Sequence, residues 1–260
     1  MRKIIGVVVS FVVLGGAGAA LAGQGATNST GEFIDLNVSV SPPVAGTAKA
    51  PQGVGVAFDS FTGNRINGDI SSGNNSIAVR FNNGFQYNGL TFPSCTVNPD
   101  PNGFSSCTHA TQIGTGVGEL GIPGANGAPP TFVSAQLLVY NGKPFKSKAP
   151  TIIFQGVLNG KVVDELDFTA QQQASGPYGL AFTEIQFPAT AGGGGVGGLT
   201  KFSVTIPRKS THQMRHGKRV TTYLIQAPTT CHGAWQFAQT NGFTNAAPLT
   251  ATDSQPCTTH

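Results

Sequence analysis

Apolar and polar residues alternate in short runs along the chain, and glycine, proline, asparagine or serine bounds most of these runs. Residues 35–41, for example, carry apolar side chains at every second position. Period-two alternation is typical of half-buried β-strands, because successive side chains of a strand point to opposite faces. The pattern predicts strands at residues 35–41, 54–59, 76–81, 131–140, 180–187, 201–206, 221–226 and 234–238.

The strongest signal for a β-hairpin lies at residues 152–168. Two largely apolar runs there are separated by Asn159 and Gly160, a dipeptide that accepts the positive φ angles of a two-residue turn. This turn would place Ile153 opposite Leu166 on the apolar face of the hairpin.

Composition favours strands over helices. The chain contains 36 glycines, 17 prolines and 17 phenylalanines, and charged residues make up only 10%. Surface helices would need more Glu, Lys and Arg. We therefore expect an all-β fold, either an antiparallel β-sandwich (Ig-like or jelly-roll-like) or an open barrel. Residues 23–260 are expected to form one β-rich extracellular domain, with two packed halves at 33–188 and 199–260 as the alternative.

The beginning of the chain has the pattern of a signal peptide, predicted at residues 1–22. Arg2 and Lys3 precede an apolar run at residues 4–14, and Ala20 and Ala22 are the small residues that signal peptidase requires. We predict cleavage after Ala22. The run is too short to span a bilayer, which takes about 20 apolar residues. The mature chain is therefore expected to be secreted, with no membrane span.

Cysteines are sparse and even in number, and an exported chain meets an oxidising environment in which thiols pair. Four cysteines allow three pairings. Pairing each cysteine with its nearest neighbour in sequence is favoured, and zinc is not expected because neither spacing gives a short C-x2–4-C knuckle. The predicted disulfide residues are Cys95, Cys107, Cys231 and Cys257.

The segments around the cysteines have a distinctive order. The string FPSC ends at Cys95, a short loop leads to Cys107, and IGTG follows at residues 113–116. Further along, GGVGGLTKFSVTI at residues 194–206 precedes the last two cysteines.

In this order the chain resembles, over residues 91–257, a family of exported β-rich proteins of high-GC Gram-positive (actinobacterial) bacteria. The family has leucine where this chain has Phe92, and a tighter turn in place of residues 241–248. Because the family has no established activity, the resemblance implies a fold and export, and no mechanism.

One basic stretch stands out from an otherwise mildly acidic mature chain. Without Arg2 and Lys3, 13 basic and 11 acidic side chains remain, and five of the basic ones lie within residues 208–219. We expect this stretch at the tip of a hairpin between residues 202–206 and 221–225, as a candidate site for an extracellular glycan or cell-wall polyanion. A purely solubilising tip is the alternative, and the lack of stacking aromatics argues against nucleic acid. The candidate residues are Arg208, Lys209, Arg215, Lys218 and Arg219.

Motifs of enzyme chemistry are weak. Residues 116–121 match G-x-G-x-x-G, but Pro123 follows where a dinucleotide site needs a helix, so we expect a glycine-rich strand or turn. His212 and His216 have zinc spacing but lack the accompanying glutamate, and we expect them to be solvated.

Glu165 and Asp167 are the remaining hint of an active site. Carboxylates two apart on a strand share a face, at a separation compatible with glycoside hydrolysis. A calcium site using Asp164 or Asp167 is equally conceivable. The preferred interpretation places Glu165 and Asp167 on the solvent-exposed face of the 152–168 hairpin. We predict no catalytic residue, no metal and no cofactor.

The sequence therefore favours a secreted, non-catalytic structural or interaction module of the cell exterior. A carbohydrate-binding or anionic cell-wall polymer-binding protein is the alternative. A secreted hydrolase comes third, because no acid, base and nucleophile cluster in the sequence.

Overall fold

The structure is a computed structural model. It describes residues 25–66, 70–71, 73–100, 103–122, 124, 128–173, 176–186, 198–215 and 217–259, without the side chains of Ile185, Gln186 and Arg215. The predicted signal peptide, its cleavage site and His216 lie outside the described residues.

Strands dominate the described chain. They are β1 (Ala26–Thr27), β2 (Glu32–Ser41), β3 (Gly55–Asn64), β4 (Asn74–Asn82), β5 (Gln86–Tyr87), β6 (Gln112–Ile122), β7 (Thr131–Gly142), β8 (Thr151–Leu158), β9 (Lys161–Gln172), β10 (Tyr178–Gln186), β11 (Gly198–Ile206), β12 (Ser210–Arg215), β13 (Lys218–Tyr223), β14 (Ile225–Gln226), β15 (Ala234–Phe243) and β16 (Leu249–Pro256). Short 3-10 turns lie at Gly89–Thr91 and His109–Thr111. No helix in the described part of the chain is long and apolar enough to cross a membrane.

Twelve of the described strands form one antiparallel sheet, in the order β1-β2-β3-β11-β6-β7-β8-β9-β10-β4-β15-β16. Two smaller pairs, β12 with β13 and β14 with β5, stand beside it. The all-β prediction is confirmed. Of its two alternatives the barrel is the better description, because the large sheet curves until its two ends nearly meet.

Side chains join the two ends of the large sheet. The Asp253 carboxylate of β16 accepts a hydrogen bond from the Val38 amide of β2 at 2.6 Å. Gln255 accepts from the Val40 amide at 2.5 Å and donates to the Val40 carbonyl at 2.9 Å. These bonds satisfy backbone groups of β2 that a closed barrel would pair with a neighbouring strand.

Aromatic side chains fill much of the interior. Four apolar side chains of β2, at positions 34, 36, 38 and 40, point inward and are buried, as alternation requires. Across the sheet, the Phe81 ring packs edge-to-face against Phe85, Phe182 and Phe237 at centroid distances of 5.7, 5.5 and 5.4 Å. Each such contact contributes about 0.5–1.5 kcal/mol beyond the burial of area.

The two ends of the interior differ in polarity. At one end, loop residues such as Val54, Leu224 and Ala227 cover the core. At the other end, which we call the polar end, buried polar side chains occupy inward positions. These are Glu32, Ser60, Thr62, Asn64, Gln239 and Asn241.

The predicted hairpin is present as β8 and β9. Asn159 and Gly160 have φ angles of 52° and 76°, as the turn prediction requires. The predicted pairing of Ile153 with Leu166 is wrong. A bulge at Gly156 shifts the register by one residue, so that Ile153 lies opposite Asp167 instead. One extra residue exchanges the two faces of a strand.

Most of the other predicted strands are confirmed with longer bounds. The predicted strand 221–226 divides at Leu224 into the ends of β13 and β14, and Phe187 lies outside the described residues. β16 was not predicted, and within β6 only a glycine-rich strand or turn was expected, at residues 116–121, because glycines and polar residues occupy inward positions where alternation requires apolar ones.

Both disulfides close locally, as predicted. Cys95 pairs with Cys107 and Cys231 with Cys257, at Cα–Cα distances of 5.1 and 5.9 Å. The first bridge holds a loop against the outer face of β7 and β8, where Cys95 packs in a separate small core that includes Ile153.

Candidate binding site in the barrel interior

Part of the barrel wall carries almost no side chains on its inner face. Gly116 of β6 lies between Val204 and Leu137, and Gly118 lies opposite Ala135. Directly opposed residues of an antiparallel pair share a face, so these glycines face inward. These positions therefore add no side chain to the interior, and the atoms nearest to a Cβ at Gly118 belong to Leu137 on the neighbouring strand β7.

Two glycines have different physical roles in this wall. A Cβ at Gly116 would collide with the Ser203 carbonyl, so glycine permits close approach of β6 and β11. A Cβ at Gly156 of β8 would meet nothing closer than the Asp164 Cβ at 3.4 Å. A side chain at Gly156 would therefore fit without a clash, and a cavity of about 50 Å³ lies beside this glycine, next to Gly118 and Ala135.

A central cavity of about 60 Å³ lies deeper in the interior. All the described side chains that line it are apolar, and half of them are phenylalanines. The phenylalanines are Phe58, Phe81, Phe154, Phe168, Phe182 and Phe202. With no polar partner for water, such a space favours apolar occupants.

A third cavity, of about 20 Å³, lies toward the polar end. Gln239 and Asn241 of β15 line it with Ser60 and Thr62 of β3. Gln239 donates to the Asn241 side-chain oxygen at 2.8 Å. The other amide atoms, Oε1 of Gln239 and Nδ2 of Asn241, are buried and have no hydrogen-bond partner among the described residues.

Phe202 of β11 borders all three cavities. Its ring contacts Phe154 at a centroid distance of 5.0 Å and Phe58 at 6.2 Å, both edge-to-face. The Phe202 ring therefore lies where the three cavities meet.

Two acidic side chains near the polar end, Glu184 and Asp164, have raised pKa values. Glu184 lies opposite Phe168 and so points inward. Burial raises the pKa of Glu184 to about 9, with smaller contributions from the charges of Asp164 and Asp167, while the backbone amide of Ile77 acts in the opposite sense. Burial also raises the pKa of Asp164. The environment at this end therefore disfavours negative charge.

Glu165 was predicted to face solvent, and this prediction is wrong. Glu165 lies opposite Gln155 on the outer face of the sheet, but the Cys95–Cys107 loop covers it. Its carboxylate accepts hydrogen bonds from the Ser105 amide at 2.8 Å, the Ser105 hydroxyl at 2.6 Å and the Gln155 amide group at 2.7 Å. These contacts fix the loop to the sheet, and they leave little of the carboxylate for a substrate.

Asp167, also predicted on the solvent face, is only 2% exposed. Burial raises its pKa to about 7, the charge of Glu165 adds to the effect, and Lys146 opposes it. Both carboxylates that were predicted to be solvated are therefore buried. No group of three or more His, Cys, Asp or Glu side chains that could hold a metal occurs among the described residues.

The basic stretch forms a hairpin of its own, β12 with β13, and does not form the tip of a longer hairpin with β11 as predicted. Lys218 and Arg219 are exposed and, as neighbours on one strand, point to opposite faces. Arg208 stacks over the Tyr223 ring at 4.9 Å. Lys209 donates to the Gln112 carbonyl at 2.8 Å.

Arg215 and His212 also belong to the basic stretch. The Arg215 side chain lies outside the described residues. His212 is exposed, as predicted, and its ring nitrogen lies 3.0 Å from the Thr221 hydroxyl. The described cations therefore do not converge on one face.

The fold and the interior define this molecule as an antiparallel barrel-like β protein with an internal apolar cavity. Comparisons with protein-family models, curated proteins and solved structures find no match. The interior site was missed in the sequence, although one signal was present: glycines at positions 114, 116 and 118 share one face of a strand and leave it bare.

Proposed function

We propose that this protein is a secreted, non-catalytic interaction module that binds a small apolar molecule inside the barrel. The central cavity carries this proposal, because its described lining is entirely apolar. The cavity and its two neighbours together approach the roughly 150 Å³ of an engineered apolar cavity that admits benzene. Binding requires Phe202 to move aside and join them.

Other features support the remaining parts of the proposal. The signal-peptide pattern, the two disulfides and the resemblance to exported proteins favour the cell exterior. The non-catalytic part rests on Glu165 and Asp167, because both carboxylates are buried and that of Glu165 is occupied by hydrogen bonds from Ser105 and Gln155.

Toluene is expected to stabilise the mature protein. At ten times its Kd a ligand adds about 1.4 kcal/mol to the free energy of unfolding, which raises Tm by about 3–5 °C in a domain of this size. The variant V56I/V204I adds two methyl groups to the cavity lining and should lose most of this shift. Differential scanning calorimetry measures it.

The variant V117I/V220I provides the matched control. Val117 is 42% exposed, Val220 lies on the β12–β13 hairpin, and neither lines any of the three cavities, so the same two methyl groups are added outside the proposed site. This variant should retain the wild-type shift. A wild-type Tm that does not respond to toluene would refute the proposal.

A second candidate function is the binding of an extracellular polyanion by the β12–β13 hairpin. The observation in its favour is that Lys218 and Arg219 are exposed on a hairpin that pairs with no other described strand, and that Arg208, just before β12, is also exposed. This candidate is weaker than the interior site, because these cations do not share a face.

Replacing Arg208, Lys218 and Arg219 with serine is expected to lower the salt concentration that elutes the protein from a heparin or cell-wall column, if the hairpin binds polyanions. The control replaces Lys49, Lys148 and Lys161, three exposed lysines elsewhere on the surface, and so removes equal charge. Equal elution of the two variants would mean that only net charge acts, and the hairpin candidate would fail.

A further inference from the structure

The small cavity at the polar end differs chemically from the other two. Gln239 is 3% exposed and Asn241 is fully buried, and both line this cavity together with Ser60 and Thr62. An amide pair buried beside apolar side chains is costly unless its donors and acceptors are satisfied. The buried position of Gln239 and Asn241 therefore favours an occupant of the cavity that can form hydrogen bonds with them.

The unpaired atoms define which occupant fits. The bond between Gln239 and Asn241 leaves one free acceptor, Gln239 Oε1, and one free donor, Asn241 Nδ2, among the described residues. A hydroxyl group both donates and accepts, so one hydroxyl can satisfy both atoms. A primary amide can do the same, whereas a carboxylate only accepts.

The ionisable side chains around the cavity also favour an uncharged occupant. Glu184 lies on the inner face beside Ile77 and Phe168, which both line the cavity. Asp164 lines the neighbouring cavity beside Gly156. The inward positions of the described strands carry no Lys, Arg or His to balance an anion. An anionic head group would be desolvated beside two carboxyl groups, at a large cost.

The polar cavity adjoins the apolar one. Phe58, Val79, Phe168 and Phe202 line both, so one molecule can place its head among the amides and its body among the phenylalanines. We propose that the ligand is a small amphipathic molecule with one uncharged hydroxyl or amide head, held by Gln239 and Asn241, and an apolar body in the central cavity. This inference rests on the interior binding proposed above and adds the head group.

The test uses three probes that share one ring: toluene, benzyl alcohol and benzoate. Isothermal titration calorimetry of the mature protein should show binding of toluene and of benzyl alcohol, and benzoate should bind at least tenfold more weakly than benzyl alcohol. The variant Q239M/N241L removes both amides together, so that neither is left unpaired. It should bind benzyl alcohol about tenfold more weakly, the equivalent of one to two hydrogen bonds, and toluene within twofold of wild type.

A matched control removes a hydrogen-bonded pair from the outer face of the sheet, Thr240 of β15 and Thr250 of the neighbouring strand β16, whose hydroxyls lie 2.8 Å apart. The variant T240V/T250V should bind all three probes as wild type does. If Q239M/N241L does not fold, judged by circular dichroism, the single variant Gln239→Met gives the same comparison with a smaller expected loss of about threefold.

The outcomes separate the two proposals. Toluene binding with equal benzyl alcohol affinity in wild type and Q239M/N241L would overturn the head-group inference and leave the interior site standing, with the small cavity holding water. Benzoate binding as tightly as benzyl alcohol would also overturn the inference. If neither toluene nor benzyl alcohol binds, both proposals fall.

Discussion

Glu184→Gln is expected to stabilise the protein at pH 8 by about 2–4 kcal/mol and to abolish the fall in stability between pH 7 and pH 9. The pKa of Glu184 is raised from 4.5 to about 9 by burial. Between these values the unfolded chain releases the proton and the folded chain keeps it. The free energy of unfolding therefore falls as pH rises, by up to about 1.4 kcal/mol per pH unit. Glutamine cannot ionise, so it removes this term.

Asp167 accounts for the loss of stability between about pH 4 and pH 7, and Glu184 for the further loss above pH 7. Its pKa is raised from 3.8 to about 7, so its destabilising contribution grows from about pH 4 and is complete above pH 7. Wild type should lose stability throughout the range from pH 4.5 to 9. Glu184→Gln should retain only the part below pH 7.

Urea unfolding at pH 5, 7 and 8.5 measures these differences. The control variant Asp35→Asn changes an exposed carboxylate and should run parallel to wild type. A Glu184→Gln profile that runs parallel to wild type between pH 7 and 8.5 would show that Glu184 ionises normally in the folded protein.

The strands of this fold could be predicted wherever apolar residues in the sequence alternate with the same period of two as the buried side chains in the structure. In β2, apolar residues at 34, 36, 38 and 40 all point inward, and Asn159-Gly160 forms the turn that its composition favours. The bulge at Gly156 could not be predicted, because an extra residue in β9 leaves no mark in the local pattern. Glu165 and Asp167 lie on the face away from Leu166 and Phe168, as predicted, but no local pattern shows that this face is covered: the Cys95–Cys107 loop packs on Glu165, and Asp167 is 2% exposed.

β16 illustrates a second limit. Its inward residues include Asp253 and Gln255, whose polarity hides the alternation, and their role is visible only when β2 lies beside them. Contacts between strands 215 residues apart depend on the closure of the whole sheet. Local pattern carries no information about them.

The interior site was beyond prediction for a related reason. A cavity is the space that side chains from many strands leave between them, so no single segment encodes it. Gln239 and Asn241 look in sequence like ordinary polar residues of a strand, and only the register, with Phe237 buried on the same face, shows that they point inward. The bare face of β6 was the one local clue.

Removing the Cys95–Cys107 disulfide is the second change that is expected to have a large effect on the stability of the protein. The variant C95A/C107A should lower the free energy of unfolding by about 3 kcal/mol, because the bridge closes a short loop and restricts the unfolded chain. The same loop carries Ser105, which donates two hydrogen bonds to Glu165. Without the bridge the loop can leave the sheet, and the Glu165 carboxylate then loses these donors.

The dependence of the Ser105–Glu165 hydrogen bonds on the disulfide can be tested by a double-mutant cycle measured by urea unfolding. Ser105→Ala removes the hydroxyl donor to the buried Glu165 carboxylate and should cost about 1–3 kcal/mol in the wild-type background. It should cost much less in C95A/C107A, because Ser105 no longer sits reliably on Glu165 there. In C231A/C257A, whose bridge lies elsewhere, Ser105→Ala should cost as much as in wild type. Equal costs in all three backgrounds would mean that the loop stays seated without its bridge, and that Glu165, rather than the disulfide, fixes the loop to the sheet.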